Sequence, residues 1–447
     1  MDSLPLELLH PVCRHLPLSD VGNFRLVSKT FATVGAQYLL PVIHTVFHPD
    51  SFERLEMISR HPVFSRYVTS LSHEGDTLSR FDTMGQWKQH IFRYPDDGVR
   101  LIRPLNTASD SDKRAYMSAL WQRCRWPSDE LAEGWKYYNR LFEIQENMRR
   151  TDDNERLLRE AMSRLPRLRS IKLYVRNYKI LPSSTFERLY DPALVLLMGD
   201  DWDVSYGFLA KLLLSADSVK IRLEVLDAGI MSWRFITADN SHFARMKNTV
   251  RHLEALSLCL TTDDDEDEAA ECFEYLKCGR LREFVTAAPN LIKLKVLVHH
   301  LYTVGTCPAE LGQVVGAFTW PKLETVAFGC TLASKEKLLD FFERHAGTLK
   351  RVYLEKITLS DGDWVSTLQR MRQILSLEDF DVRGSLCSAG LAQHWSLIRE
   401  GLWDYMEETK ETFLRKALTR YFIEEGLECP LLDAKFIDCF RSQRATL

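Results

Sequence analysis

Two rhythms of apolar and polar positions divide the chain. The first runs apolar, two variable residues, apolar, one variable residue, apolar. It occurs at Leu168-Arg169-Ser170-Ile171-Lys172-Leu173, Leu253-Glu254-Ala255-Leu256-Ser257-Leu258, Leu291-Ile292-Lys293-Leu294-Lys295-Val296, Leu323-Glu324-Thr325-Val326-Ala327-Phe328, Leu349-Lys350-Arg351-Val352-Tyr353-Leu354 and Leu377-Glu378-Asp379-Phe380-Asp381-Val382. A degenerate copy fits Ser218-Val219-Lys220-Ile221-Arg222-Leu223, and a weaker one lies at Val68-Thr69-Ser70-Leu71. Alternation puts every second side chain on one face of an extended segment, so each copy predicts a short β-strand. Copies begin at 218, 253, 291, 323, 349 and 377, which makes the repeat 26 to 38 residues long.

The second rhythm is helical and fills the intervals. Asp152 and Glu155 have capping-box spacing ahead of Leu157, Leu158, Ala161, Met162 and Leu165. Ser334 precedes Leu338, Leu339, Phe341 and Phe342, with Gly347 placed as a stop. Pro166, Pro289 and Pro321 each stand two residues before a strand leucine, where a fixed φ suits the turn from helix to strand. Strand, helix and strand in succession predict parallel strands joined by helical crossovers and stacked as a one-dimensional α/β solenoid.

Two stretches depart from this order. Residues 74 to 160 are first mixed and then carry Tyr116, Leu120, Trp121, Trp135, Tyr138, Leu141, Phe142 and Ile144, a pattern of one or two amphipathic helices. Aromatic residues at helical spacing are usually core; a ligand cage of Trp121, Trp126, Trp135 and Tyr138 is the sharper alternative. Residues 389 to 426 read as a helical cap, with Trp395, Ile398, Leu402 and Trp403 followed by Phe413, Leu414, Leu418 and Phe422.

The N-terminal segment has its own pattern. Pro5 suits the first turn of a helix and Glu7 favours its N-terminus, while Leu8, Leu9, Val12 and Leu16 form an apolar stripe ending at Pro17. Ser19 is placed to cap a second helix through Val21, Phe24 and Val27; a third runs from about Ser28 to Tyr38 before Pro41. A unit of roughly 40 residues is near the size below which chains need a metal, disulfides or a partner to hold together. The run Leu4-Pro5-Leu6-Glu7-Leu8-Leu9, with Leu18-Ser19-Asp20-Val21 and Phe24-Arg25-Leu26-Val27-Ser28-Lys29, resembles an F-box. That resemblance implies binding to the Skp-type linker subunit of cullin-RING ubiquitin ligases through Leu4, Pro5, Leu8, Leu9, Val12, Leu16, Leu18, Leu26, Val27 and Lys29. The alternative is that these helices only cap the rest of the chain.

The strand copies in turn resemble the irregular leucine-rich repeats of many F-box proteins, particularly fungal ones. The expected organisation is an F-box at 1–41, a first strand and helical insertion at 42–160, the repeat solenoid at 161–388 and a helical cap at 389–447. Residues flanking the middle apolar position of each strand face outward, which exposes Lys172, Lys220, Arg222, Lys293, Lys295, Arg351 and Tyr353, with Asp379 and Asp381 at one end. Such a basic face suits an acidic or phosphorylated target segment, although Lys at outward positions is also common without any ligand. The acidic run Asp263-Asp264-Asp265-Glu266-Asp267-Glu268 follows one strand and reads as a solvated loop, or as a shield over the basic face.

Composition narrows the function. At 447 residues, 45% hydrophobic content and a formal charge of −4, the chain can bury a large core and has no global bias toward nucleic acid. No run approaches the roughly 18 apolar residues of a membrane span, and Met1-Asp2-Ser3 lacks a basic secretory start, so a cytoplasmic or nuclear location is expected. Ten cysteines are scattered, with Cys272 and Cys278 the closest pair and no histidine at ligand spacing; His299-His300 is the one histidine pair. Neither predicts a metal, and no cofactor is expected. There is no phosphate-cradling Gly-rich loop, G-x-S-x-G elbow or H-E-x-x-H helix. The resemblances together imply a non-catalytic, target-recruiting adaptor, with an F-box scaffold outside any ligase or a plain repeat-type interaction module as the alternatives.

Overall fold

A computed structural model of the chain describes residues 5–75, 77–89, 128–151, 153–174, 202–261, 266–299, 309–388, 393–397, 410–433, 436 and 440–442. It is a mixed α/β structure that opens with three short helices, α1 (Leu6–His15), α2 (Leu18–Arg25) and α3 (Lys29–Leu39). Ser28 caps α3, its Oγ accepting from the Phe31 N–H at 3.4 Å. The second helix departs from expectation. It begins at Leu18 directly after Pro17, whose ring sets φ at −55° and pre-forms the first turn, so Ser19 lies inside it rather than at its cap.

One sheet dominates the rest. Its strands are β1 (Val42–Val46), β2 (Ser70–Glu74), β3 (Ser170–Tyr174), β4 (Val225–Ser232), β5 (Ala255–Thr261), β6 (Lys293–His299), β8 (Thr325–Gly329), β10 (Arg351–Leu359) and β11 (Asp379–Ser388). These pair in parallel in chain order, β1 to β11; the short β7 (Ala309–Glu310) pairs with β9 (Thr331–Ala333), and β9 pairs with β10. Two antiparallel strands, β12 (Gln393–Ser396) and β13 (Phe440–Ser442), extend the far end, so the helix expected around Trp395 is a strand. Ile398, Leu402, Trp403, Trp121, Trp126, His300 and Asp263–Asp265 lie outside the described residues.

A backbone ladder sets the register. The carbonyl just before each strand accepts from two N–H groups of the next: Pro41 from Thr69 and Ser70, Thr69 from Arg169 and Ser170, Arg169 from Glu224 and Val225, and so on through Lys350 to Glu378 and Asp379, all at 2.8 to 3.2 Å. Ser170, Val225, Ala255, Lys293, Thr325, Arg351 and Asp379 therefore fall in one row across the sheet. Lys172, Asp227, Ser257, Lys295, Ala327, Tyr353 and Asp381 form the next.

This register corrects one expected strand. Residues 218–223 are not extended as a strand; α7 (Trp202–Ser218) ends there and Lys220 takes a left-handed φ of 59°. The copy that pairs is Leu223-Glu224-Val225-Leu226-Asp227-Ala228, whose third apolar place is only an alanine. Lys220 and Arg222 thus stand before β4, and Asp227 takes the row position.

The opposite face of the sheet is packed. Leu71, Ile171, Leu226, Leu256, Leu294, Val326, Val352 and Phe380 point into one continuous core with the helices between strands, including α4 (Pro49–Arg60), α6 (Asp153–Ser163), α8 (Asn240–Val250), α9 (Glu266–Lys277), α10 (Arg280–Thr286), α12 (Lys335–His345) and α13 (Trp364–Ile374). A short α11 (Leu311–Val314) adds Leu311 and Val314. At the far end α14 (Lys410–Ile423) closes the core, with Phe422 stacked 3.8 Å from Phe380. At the near end α5 (Ser128–Arg150) makes a second, smaller core of Val46, Leu78, Trp87, Leu131, Tyr138 and Leu141, against which Trp135 packs. Trp135 and Tyr138 are core there. Gln145 ties α5 to the sheet, its Oε1 accepting from Leu78 N–H at 2.8 Å and its Nε2 donating to Phe47 O at 3.2 Å.

Polar side chains replace the third apolar residue in the first two strands. Thr45 of β1 and His73 of β2 meet at 2.9 Å between Thr45 Oγ1 and His73 Nδ1, with Phe208 4.9 Å from the His73 ring. His73 is 3% exposed, and burial lowers its pKa from 6.5 to about 4.

Candidate functional site: an apolar N-terminal face and an open sheet face

The three N-terminal helices form a core separate from the large one, made of Leu9, Cys13, Val21, Phe31 and Val34 with Leu16, Phe24, Tyr38 and Leu39 packed on it. Leu9 and Cys13 are four residues apart and turn inward on α1; Leu8 and Val12, also four apart, turn outward. Pro11 sits inside α1 and removes a helical hydrogen bond, so the helix depends on what packs against it. Leu6, Leu8, Val12, Leu18, Leu26 and Val27 are between 47% and 85% exposed, with Leu26 the extreme. Burying each under a partner would contribute roughly 1 kcal/mol.

Of the residues expected at a linker interface, Pro5, Leu8, Val12, Leu18, Leu26, Val27 and Lys29 are exposed, Leu16 is half-buried, and Leu4 lies outside the described residues. Leu9 is different. At 1% exposure it holds the module's own core, because its position on α1 faces α3. Leu6, outside the expected set, joins the exposed face at 51%.

Two ties hold this module to the sheet. Only Leu40 and Pro41 separate α3 from β1, and Pro41 is the first carbonyl of the ladder, also accepting from Thr69 Oγ1 at 3.1 Å. At the end of α2, Arg25 donates from Nε to Ala32 O at 3.1 Å and lays its guanidinium over the Phe64 ring at 5.2 Å. His61 lies on the same Phe64 ring, 4.3 Å between centroids. Gly35 makes the Arg25 path passable: a Cβ there would come within 2.4 Å of Arg25 Cγ.

The second surface is the open sheet face. Its charges are mostly self-neutralised. Arg351 lies 3.9 Å from both Glu324 and Glu378, and its Nε donates to Thr325 Oγ1 at 2.9 Å. Tyr353 donates its O–H to Asp379 at 2.6 Å, and burial together with Asp379 pushes its pKa up to about 12. Asp381 accepts from Arg383 at 2.8 Å and from Arg415 of α14. Lys220 stands 3.7 Å from Asp217, and Arg222 is exposed beside His252, whose pKa is lowered by burial and by Arg251 and Arg222.

Lys293 and Lys295 on β6 form the exception. Both are exposed, and neither has a carboxylate within ion-pair distance among the described residues. Their row neighbours are small: Ala255 and Ser257 on β5, Thr325 and Ala327 on β8. In the next row along the strands Cys259 and Leu297 are buried beside Gly329, and burial pushes the Cys259 thiol up to about 12, far from the reactive thiolate. Lys172, half-buried on β3, lies near His44, whose pKa is lowered by burial and by Arg54 and Lys172. The strand face is therefore basic at β3 and β6, acidic at Asp227, and balanced from β8 onward.

Among the described residues no three or more His, Cys, Asp and Glu side chains gather as metal ligands would, and no helix is long and apolar enough to cross a membrane. Cys13, Cys259, Cys272, Cys330 and Cys429 are buried, while Cys278 is exposed.

Residues 1–35 match the family model of the F-box domain, and the chain carries that domain. The match spans α1, α2 and most of α3 and ends before the sheet. F-box domains generally act as adaptors in ubiquitin ligases and typically bind Skp-type linkers. No curated protein matches the chain.

Proposed function

We propose that the chain is a target-recruiting subunit of a cullin-RING ubiquitin ligase. The observation that carries this reading is the F-box with an inward stripe that holds its own core and an exposed outward stripe, Leu8, Val12, Leu18, Leu26 and Val27, that the other described residues leave uncovered. On this reading the Skp-type linker covers the outward stripe, and through it a cullin joins. The leucine-rich-repeat reading of the sheet is supported by parallel strands in chain order and by an L-x-x-apolar-x-apolar copy at most of them. Its open face holds the target, and catalysis is positional: target lysines are kept at high effective concentration near a donor that this chain does not activate.

The target contact we assign to Lys293 and Lys295, with Lys172 as an outlying cation. Two ammonium groups with no carboxylate partner among the described residues, flanked in their rows by small residues and spaced about 7 Å apart along β6, suit an extended segment carrying carboxylates or a phosphate.

The test uses the full chain. Leu8→Glu with Val12→Glu is expected to abolish co-purification with a Skp-type linker and cullin while leaving the melting temperature within a few degrees. Recovery of linker without cullin from the unmodified chain would instead indicate a scaffold outside the ligase. Retention of linker by the double variant would refute the interface. Lys293→Ser with Lys295→Ser is expected to lower binding to acidic or phosphorylated peptides at least tenfold, and unchanged binding would refute the target assignment.

A further inference from the structure

The link between the F-box and the sheet has few free torsions. α3 ends at Leu39, and Pro41 is fixed twice: its ring sets φ, and its carbonyl accepts from Thr69 N–H, Ser70 N–H and Thr69 Oγ1 at 2.9 to 3.1 Å. Leu40, between them, is neither helical nor fully extended, at φ −136° and ψ 54°. Its φ and ψ therefore set the angle between the docking module and the sheet. Packing adds little to that control, because the three helices share a core of their own and, among the described residues, touch the rest only sparsely. A lever that pivots on one residue needs a second hold away from the pivot.

Arg25 supplies that hold. Its stem is ordered within the F-box, where Nε donates to Ala32 O at 3.1 Å and the methylene groups pass too close to Gly35 for any side chain there. The guanidinium leaves the module and lies over the Phe64 ring, 5.2 Å from its centroid, as a cation over an aromatic face. Phe64 is held just as firmly on its own side. The His61 ring lies 4.3 Å from it, His61 Nδ1 accepts from the Val63 and Phe64 N–H groups at 3.2 and 3.3 Å, and Ser65 Oγ donates to His61 O at 2.7 Å. Both partners are ordered before they meet, so little entropy opposes the contact.

We propose that Arg25 is a positioning residue: stacked on Phe64, it fixes the Leu40 torsions and so the angle at which the sheet stands to whatever the F-box docks on. Docking itself does not use it, since its guanidinium is committed to Phe64. The consequence for ubiquitin transfer rests on the reading given above: a loosened joint spreads a held target over more space and lowers its effective concentration at the donor, with linker affinity unchanged. The joint itself stands or falls independently of that reading.

The experiment measures, in the full chain, the distance distribution between spin labels carried on non-natural residues at positions 14 and 343, both exposed. The unmodified chain is expected to give one narrow peak. Arg25→Ala and Phe64→Leu, which remove the contact from opposite sides, are each expected to make it about twice as wide; Phe64→Tyr, which keeps the ring, leaves the width unchanged. Gly35→Ala, which drives Arg25 off its path without removing the charge, broadens the peak as Arg25→Ala does. Affinity for a purified Skp-type linker is expected to stay within about threefold in all four variants. An unchanged width in both Arg25→Ala and Phe64→Leu would overturn the joint, and so would a broad distribution in the unmodified chain. Loss of linker affinity in Arg25→Ala at unchanged width would place Arg25 in the docking face instead. If the unmodified chain binds no linker, the ligase reading falls while the widths still decide the joint.

Discussion

Single residues show where this fold tolerates polarity and what it costs. His73 takes an apolar place in the strand pattern of β2 and survives there neutral, with Nδ1 satisfied by Thr45 and Nε2 without a partner among the described residues. Because its pKa is about 4 when folded and near 6.5 in the open chain, the unfolded state binds more protons throughout that window. Stability is therefore expected to fall by roughly 1 kcal/mol per pH unit as pH drops from about 6.5 toward 4. His73→Leu should flatten that slope in denaturant titrations at a series of pH values; an unchanged slope would assign the acid sensitivity to other groups. Leu8 and Leu9 make the complementary point, since neighbouring leucines of one helix serve opposite surfaces. Sequence spacing identified the stripe but not which side faced in, because that is decided by where α3 packs.

Among the elements, legibility followed the strength of the third apolar residue. Where it is Leu, Val or Phe, as in β3, β5, β6, β8, β10 and β11, the strand was found and began at the pattern's third position. The pattern does not announce β1, where Thr45 stands in that place, and it points five residues early for β4, where Ala228 is a weaker signal than the alternating Val219, Ile221 and Leu223 just before it. The displacement carried Lys220 and Arg222 onto the open face and hid Asp227, which is why the expected face was too basic. β12 and β13 pair antiparallel over long separations that local periodicity does not report. At α12 the helix start is legible. Ser334 accepts from the Lys337 N–H at 3.1 Å as its spacing predicts, so Ser334→Ala is expected to cost about 1 kcal/mol of stability, checked by thermal melting.

At the scale of the molecule the described residues form three cores of unequal size, and the smallest of these belongs to the F-box. Small cores open first, so amide exchange in residues 5–39 is expected to be faster than in β4–β6 and to slow on adding linker, with β4–β6 unchanged. Equal protection of both regions in the free chain would contradict this separation. The shared-carbonyl ladder has a different reach. It joins strand to strand at constant spacing although the segments between strands vary widely in length, so those length differences do not disturb the register. The open face is in effect ruled paper, with lines about 4.8 Å apart across the strands and about 7 Å apart along them. Sequence can be added or lost between the lines without moving a single mark on them, and what such a protein reads can change by rewriting single letters.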